Sequence, residues 1–311
     1  MQKYDSQLPS GVKKFIDHTA PRQVQFMESG EKRVSPKEVL DDEGYILVDS
    51  ITEPIFKEDI KFQYKINSDG FRSQHFKKMN PDNLNVLYAG CSMTYGVGLP
   101  EEYIWPTLVS NGIKEMNPGK QVESFNVAAP GASIHEIVRN CFIFFESYGN
   151  PHYLFVSLSD IERSISYDNA DQKFKQIIPS EFNLTQKMSK QLIYALASVN
   201  TANNWLIASD MIFMLESYCK SAGINLIWTT WKRDQAFEWS ELPFKDYLKT
   251  ESHDVQTWYS PLNKENRPKD IRDNIDNLPY WEFARDGAHP GTLWTKELSK
   301  KFLDEIKRRG I

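Results

Sequence analysis

A chain of 311 residues, 40% hydrophobic and 25% charged, is long enough to bury a sizeable core as one large domain with insertions or as two modest ones, which excludes a stapled mini-protein. Its formal charge of -5 at pH 7 offers no basic field for steering nucleic acid and argues against polyanions as partners. Three cysteines, Cys91, Cys141 and Cys219, are widely spaced, odd in number and in no metal-ligand pattern, so they read as thiols in a reducing compartment rather than a disulfide framework.

The opening residues lack the apolar stretch of a secretory signal, and the strongest apolar run, CFIFF (141–145), is too short to cross a bilayer. A cytoplasmic protein without a membrane span is expected, with a virus particle as the other setting the sequence allows. Residues 1–80 form a mixed, turn-rich extension whose alternating stretches GYILVDSI (44–51) and IKFQYKI (60–66) predict a little β-structure. The main domain is assigned to 81–311.

That domain begins with NVLYAG (85–90), a short apolar run stopped by glycine, as suits a buried strand. Similar strands are predicted at SFNVAA (124–129), YLFVSLS (153–159) and INLIWTTW (224–231). Helical patterns lie between them, so the alternation predicts an α/β fold with a mainly parallel sheet and helices on both faces. The clearest helix starts after GAS (131–133): Ser133 and Glu136 have capping-box spacing, and Ile134, Ile137, Val138, Cys141, Phe144 and Phe145 form one stripe. A second helix is predicted through Ile207, Met211, Met214, Leu215 and Tyr218, ending near Gly223, which is available for a left-handed cap. Residues 164–205, with weak strand and patchy helical signals, read as a partly helical insertion. From 232 to 285 the chain lacks periodicity and is expected to form long loops, which are often functional. Trp294, Leu298, Phe302 and Ile306, at four-residue spacing ahead of a basic last turn, predict a closing helix.

Loops at the carboxyl ends of parallel strands converge on a crevice where ligands bind. YAGCSMTYGVG (88–98) puts Ser92 at such an end. A serine hydroxyl becomes a nucleophile only when a base takes its proton and a third group fixes that base. Of the six histidines, His289 alone has a carboxylate nearby in a turn-forming context, ARDGAHPG (284–291), where Asp286 can fold back toward its imidazole. The N–H groups of Ser92 and Gly131, both where a strand has ended, are the natural donors to a developing oxyanion, and glycine lets a substrate oxygen approach closely.

GCSMTYGVG, NVAAPGAS, LSD and DGAHP, in this order, resemble the blocks of the SGNH or GDSL-type hydrolases, and INSDGFRS (66–73) resembles the lead-in of many members. The resemblance covers about 66–163 and 222–311. It implies a three-layer α/β/α sandwich of flavodoxin-like topology and serine ester hydrolysis without a metal or organic cofactor. It also implies Ser92 as nucleophile, His289 as base, Asp286 as triad acid and Gly131 as oxyanion donor. Two positions depart from the pattern: the block-one aspartate is Cys91, and the block-three asparagine, another oxyanion donor, stands as Ser159 followed by Asp160. Loss of one such donor costs about two to three orders of magnitude in turnover.

Each motif alone is an ordinary turn, and it is their combination that points to a site. GVGLPEE is neither a dinucleotide fingerprint nor a P-loop, and Thr94 stands where an α/β-hydrolase elbow needs glycine. A Ser- and Thr-rich turn that holds a flavin phosphate would leave Asp286 and His289 unexplained. Cys91 reads as packing, His135 as a surface residue, and Asp160 with Arg163 as a structural ion pair or a brace beneath Ser159. Six of the eight tryptophans (228, 231, 239, 258, 281, 294) fall from 228 onward, where aromatic faces would suit a sugar ring, although burial is their commoner use. The expected substrate is a small acyl ester or an O-acylated carbohydrate, with deacetylation as the first expectation. The alternatives are an acyltransferase using the same triad and a non-catalytic binding or assembly protein on a degenerate hydrolase scaffold.

Overall fold

The computed structural model describes residues 41, 43–49, 62–168, 173–177, 201–250, 284 and 289–311. A four-stranded parallel sheet holds the core, built from β3 (Leu84–Gly90), β4 (Val122–Asn126), β5 (Tyr153–Leu158) and β8 (Asn225–Thr230) in the order β4-β3-β5-β8. Every residue of β3 and β5 is buried, as strands covered on both faces must be, and this explains their unbroken apolar runs. β4 starts two residues earlier than the sequence suggests and ends sooner. Its pairing nevertheless continues along β3, with Val127 N–H donating to Tyr88 O (2.9 Å) and Ala129 N–H to Gly90 O (3.1 Å).

Ser92–Tyr95 (α1) forms a single turn after β3, and Trp105–Met116 is α2. Ile134–Tyr148 is α3, Thr201–Ala222 is α4, Arg233–Ser240 is α5 and Thr292–Arg309 is α6. Helices α2 and α6 pack on one another, as do α3 and α4, so two helical layers enclose the sheet in a three-layer α/β/α arrangement. On the first side Phe302 stacks on Trp105 (ring centroids 5.0 Å) and meets Phe155 edge-on (5.3 Å). Its complete burial contributes about 2 to 3 kcal/mol. On the other side Phe144 packs on Phe125 and Phe145 on Tyr218.

The capping box of α3 forms as its spacing predicts: Ser133 Oγ accepts from Glu136 N–H (3.3 Å) and Glu136 Oε2 accepts from Ser133 N–H (3.0 Å). All six apolar residues of its expected stripe are buried, as are Trp294, Leu298, Phe302 and Ile306 of α6. The phase of α4 differs from expectation. Of the expected stripe Leu215 is buried and Met211 and Tyr218 pack against the core, but Ile207 and Met214 are 51% and 46% exposed, and Ala208, Ile212 and Cys219 complete the buried face. Apolar residues occur all round this helix, so composition does not fix its rotation; one residue of offset turns it about 100°. The aperiodic stretch after residue 232 contains α5, which buries Gln235, Ala236 and Trp239.

Between β5 and α4 runs an antiparallel hairpin, β6 (Ser164–Asp168) with β7 (Lys173–Ile177). Nearer the N-terminus, β1 (Ile46–Asp49) pairs antiparallel with β2 (Gln63–Ile66). Alternation turns Tyr64 and Ile66 of β2 inward, onto Tyr95 of α1 and Ala128 in the loop after β4. Both sheet edges are covered, which blocks edge-to-edge pairing. At β4, Ser73 Oγ accepts from Asn126 N–H (2.9 Å) and Gln74 Nε2 donates to Ser124 O (2.9 Å). At β8, a single parallel bridge pairs Trp228 with Tyr247. Among the described residues no helix is long and apolar enough to cross a membrane.

Candidate active site

In the order β4-β3-β5-β8 the chain leaves β3 toward one side and returns on the other, so β3 and β5 flank the point where the winding reverses. Ser92 follows β3 by two residues and Ser159 directly follows β5, and the ladder pairs Gly90 with Ser157. The same register therefore carries Ser92 and Ser159 to the rim on neighbouring strands.

Gly90 makes the turn into α1 possible. A Cβ on it would collide with the Thr94 side chain and lie 2.8 Å from Ser157 O. Cys91 is the extended residue before α1, and its carbonyl accepts from Thr94 N–H (3.0 Å) and Tyr95 N–H (2.9 Å). Its side chain is wholly buried, in agreement with a packing role. Ser92 is the first residue of the turn, where the helix itself offers its N–H no acceptor. Its carbonyl accepts from Gly96 N–H (2.9 Å) and Val97 N–H (3.1 Å), and the residue is 7% exposed.

Gly131 lies two residues beyond Ala129, the residue bonded to Gly90 O, so the loop that carries it is stitched to the start of the serine turn. Its φ of 73° is left-handed, and it leads through Ala132 into the cap of α3. Ser159 is fully buried, and its Oγ has no hydrogen-bond partner among the described residues. Next to it, Asp160 is held by Lys232 Nζ (2.8 Å) and Gln235 Nε2 (3.2 Å), which join the loop after β5 to the start of α5. Asp160 thus braces the rim, but its ion-pair partner is Lys232. The Arg163 guanidinium instead stands over the Trp231 ring (5.7 Å), and Arg163 contributes only its N–H to Asp160 O (3.1 Å).

His289 is half-buried, and its carbonyl accepts from Ala284 N–H (2.8 Å). It precedes α6 by three residues. The far end of α6 is fixed by Arg309, whose Nη1 donates to Leu226 O (2.8 Å) at the entrance of β8. Eighteen helical residues span about 27 Å, so α6 runs back along the sheet and its first turn lies toward the rim where the strands end. Asp286, like Trp258 and Trp281, lies outside the described residues. Trp228, Trp231, Trp239 and Trp294 are buried in the core and present no face to a ligand. His135 is exposed, whereas His152 Nδ1 accepts from Asn85 N–H (3.1 Å) and His75 stacks on Tyr45 (4.1 Å), both structural uses.

Two groups escape the sequence reading. Lys232 and Gln235 carried no signal, because their bonds to Asp160 arise only where the segments after β5 and β8 meet. Arg72 was visible within INSDGFRS but had no recognisable task. It proves almost wholly buried behind the serine turn. Among the described residues no cluster of three His, Cys, Asp or Glu side chains could hold a metal ion.

No protein-family model matches the sequence, and no curated protein matches it. Solved structures do match. The psychrotrophic esterase EstA from Pseudoalteromonas sp. is 14% identical, over 73% of this chain and 98% of its own, with a TM-score of 0.36. The acetyl xylan esterase AlAXEase is 13% identical, over 71% and 99%, with a TM-score of 0.38. A member of the lipolytic protein G-D-S-L family from Veillonella parvula is 14% identical, over 72% and 98%, with a TM-score of 0.28.

Proposed function

We propose that the protein is a serine ester hydrolase. Ser92 Oγ attacks the acyl carbonyl while His289 takes its proton, and Asp286 orients the imidazole and stabilises its cationic form. The tetrahedral oxyanion is met by the N–H groups of Ser92 and Gly131, with the Ser159 hydroxyl as a third donor. Collapse expels the alcohol, which takes the proton from His289. Water then attacks the acyl-serine, giving its proton to His289, and collapse of the second tetrahedral intermediate breaks the acyl–Oγ bond, returns that proton from His289 to Ser92 and releases the acid.

The observation that carries this reading is the Ala129 N–H to Gly90 O bond, which ties the Gly131 loop to the turn that presents Ser92 at the reversal point of the sheet. We take the substrate to be a small acyl ester. Burial of four tryptophans removes the residue-level argument for a sugar ring at those positions, so acetylated saccharides rank as one class to be assayed among others. Hydrolysis of p-nitrophenyl acetate by the wild type, lost by at least about 10³-fold in Ser92→Ala, is the expected result.

A non-catalytic binding protein on the same scaffold is the second reading. It is favoured by the complete burial of Cys91 and Ser159, the two positions that depart from the hydrolase pattern. Inertness of the wild type toward both p-nitrophenyl acetate and a fluorophosphonate would select it.

A further inference from the structure

We propose that Arg72, assisted by Tyr64, is a positioning residue that holds the turn bearing Ser92; this rests on the ester-hydrolase reading of that serine. The Arg72 side chain is 2% exposed and lies behind α1. Its Nη1 donates to Tyr95 O (3.1 Å) and Gly96 O (2.8 Å), and its Nη2 to Leu99 O (2.9 Å). Nε lies 2.8 Å from a Glu101 carboxylate oxygen. The guanidinium faces the Tyr64 ring at 4.6 Å, and the Tyr64 hydroxyl accepts from Gly98 N–H (2.8 Å).

The chain from Tyr95 to Leu99 is therefore gripped at four backbone groups by two side chains from the segment that precedes the sheet. A four-residue helical turn cannot sustain itself, because nucleation costs more than its few hydrogen bonds return. Ser92 O is bonded to Gly96 and Val97, and Gly96 O is bonded to Arg72, so the guanidinium acts on the serine through one intervening residue. Gly96 sits at a left-handed φ of 78°, and a Cβ there would run into Ile104. The turn thus has little freedom to reshape around a different clamp. The planar fork reaches three carbonyls from two nitrogens in one fixed geometry, whereas the three donors of a lysine ammonium radiate from a single nitrogen on a flexible stem. Replacing a buried, paired ion by apolar packing is often neutral or stabilising, so stability alone does not require Arg72.

The test compares Arg72→Lys, Arg72→Ala and Tyr64→Phe with the wild type in three measurements. These are steady-state kinetics on p-nitrophenyl acetate, the rate of fluorophosphonate labelling, and amide hydrogen exchange at Gly96, Val97, Gly98 and Leu99. Arg72→Lys should lower kcat and the labelling rate about 10- to 100-fold, the penalty of misplacing a reacting atom by about 1 Å, with KM changed less than about twofold. Faster exchange should be confined to those four amides, and guanidinium ion should restore part of the labelling of Arg72→Ala. Tyr64→Phe should accelerate exchange at Gly98 above all.

Wild-type labelling in Arg72→Lys, or a loss matched by faster exchange throughout the sheet and not rescued by guanidinium, would overturn the proposal. A wild type that does not react defeats the hydrolase reading instead, and exchange then decides the clamp. Loosening confined to Gly96–Leu99 supports it, and unchanged protection there overturns it.

Discussion

Replacing Gly90 by alanine tests the tightest contact at the candidate site. The added methyl would stand 2.8 Å from Ser157 O and collide with Thr94, whereas relaxed carbon–oxygen contacts lie near roughly 3.3 to 3.6 Å. Thr94 can rotate, but Ser157 belongs to β5 and is paired in register with Gly90, so its carbonyl can retreat only by stretching the central ladder. Overpacking of this kind costs about 1 to 3 kcal/mol, which for a domain of this size lowers Tm by about 2 to 12 °C. Thr94 lies in the same turn as Ser92, so the relaxation should also displace the serine and slow fluorophosphonate labelling by about 10- to 100-fold. Calorimetry and labelling rates on the purified variant measure both effects. A Gly90→Ala protein as stable and as reactive as the wild type would refute the reasoning, since the turn would then have room that the structure denies it.

Two further outcomes follow from the same geometry. Ser159→Ala removes a buried hydroxyl that has no hydrogen-bond partner among the described residues, so stability should be unchanged or raised by up to about 1 kcal/mol; if the hydroxyl serves the oxyanion, kcat should fall about 100-fold or more while Tm holds. Loss of both would mean that the hydroxyl has a structural partner. Glu305 is held at about 2, below the usual carboxylate range, by its hydrogen bonds to Arg308, with burial opposing and Arg309 adding to the effect. Its depressed value means that it stabilises the fold above its unfolded pKa and loses that contribution as pH falls toward 2. Glu305→Gln should therefore flatten the acid limb of a Tm-against-pH curve, and an unchanged limb would remove Glu305 from the account of acid stability.

What the sequence made legible was mostly local or periodic. The capping box at Ser133 and Glu136 needs only residues three apart, and the stripe from Trp294 to Ile306 shows itself at one spacing, so both elements formed as expected. The buried strands were legible because parallel strands covered on both faces carry uninterrupted apolar runs. Elements set by tertiary partners were not. The rotation of α4 depends on which of its many apolar residues meet α3, and α5 forms beneath residues with no amphipathic period. At the candidate site, Ser92 and Gly131 could be marked because strand ends in a parallel sheet converge. The pairing of Asp160 with Lys232 and the burial of Arg72 behind the serine turn arise between segments distant in the chain, and no spacing announces them.

The most direct measurement is the identity of the residue that reacts with a fluorophosphonate, read by peptide mass spectrometry on the wild type and on Ser92→Ala, His289→Ala and Asp286→Asn. One adduct is expected, on the peptide that contains Ser92, absent in Ser92→Ala and strongly slowed in the other two. An adduct on any other residue, or labelling of His289→Ala at the wild-type rate, would contradict it.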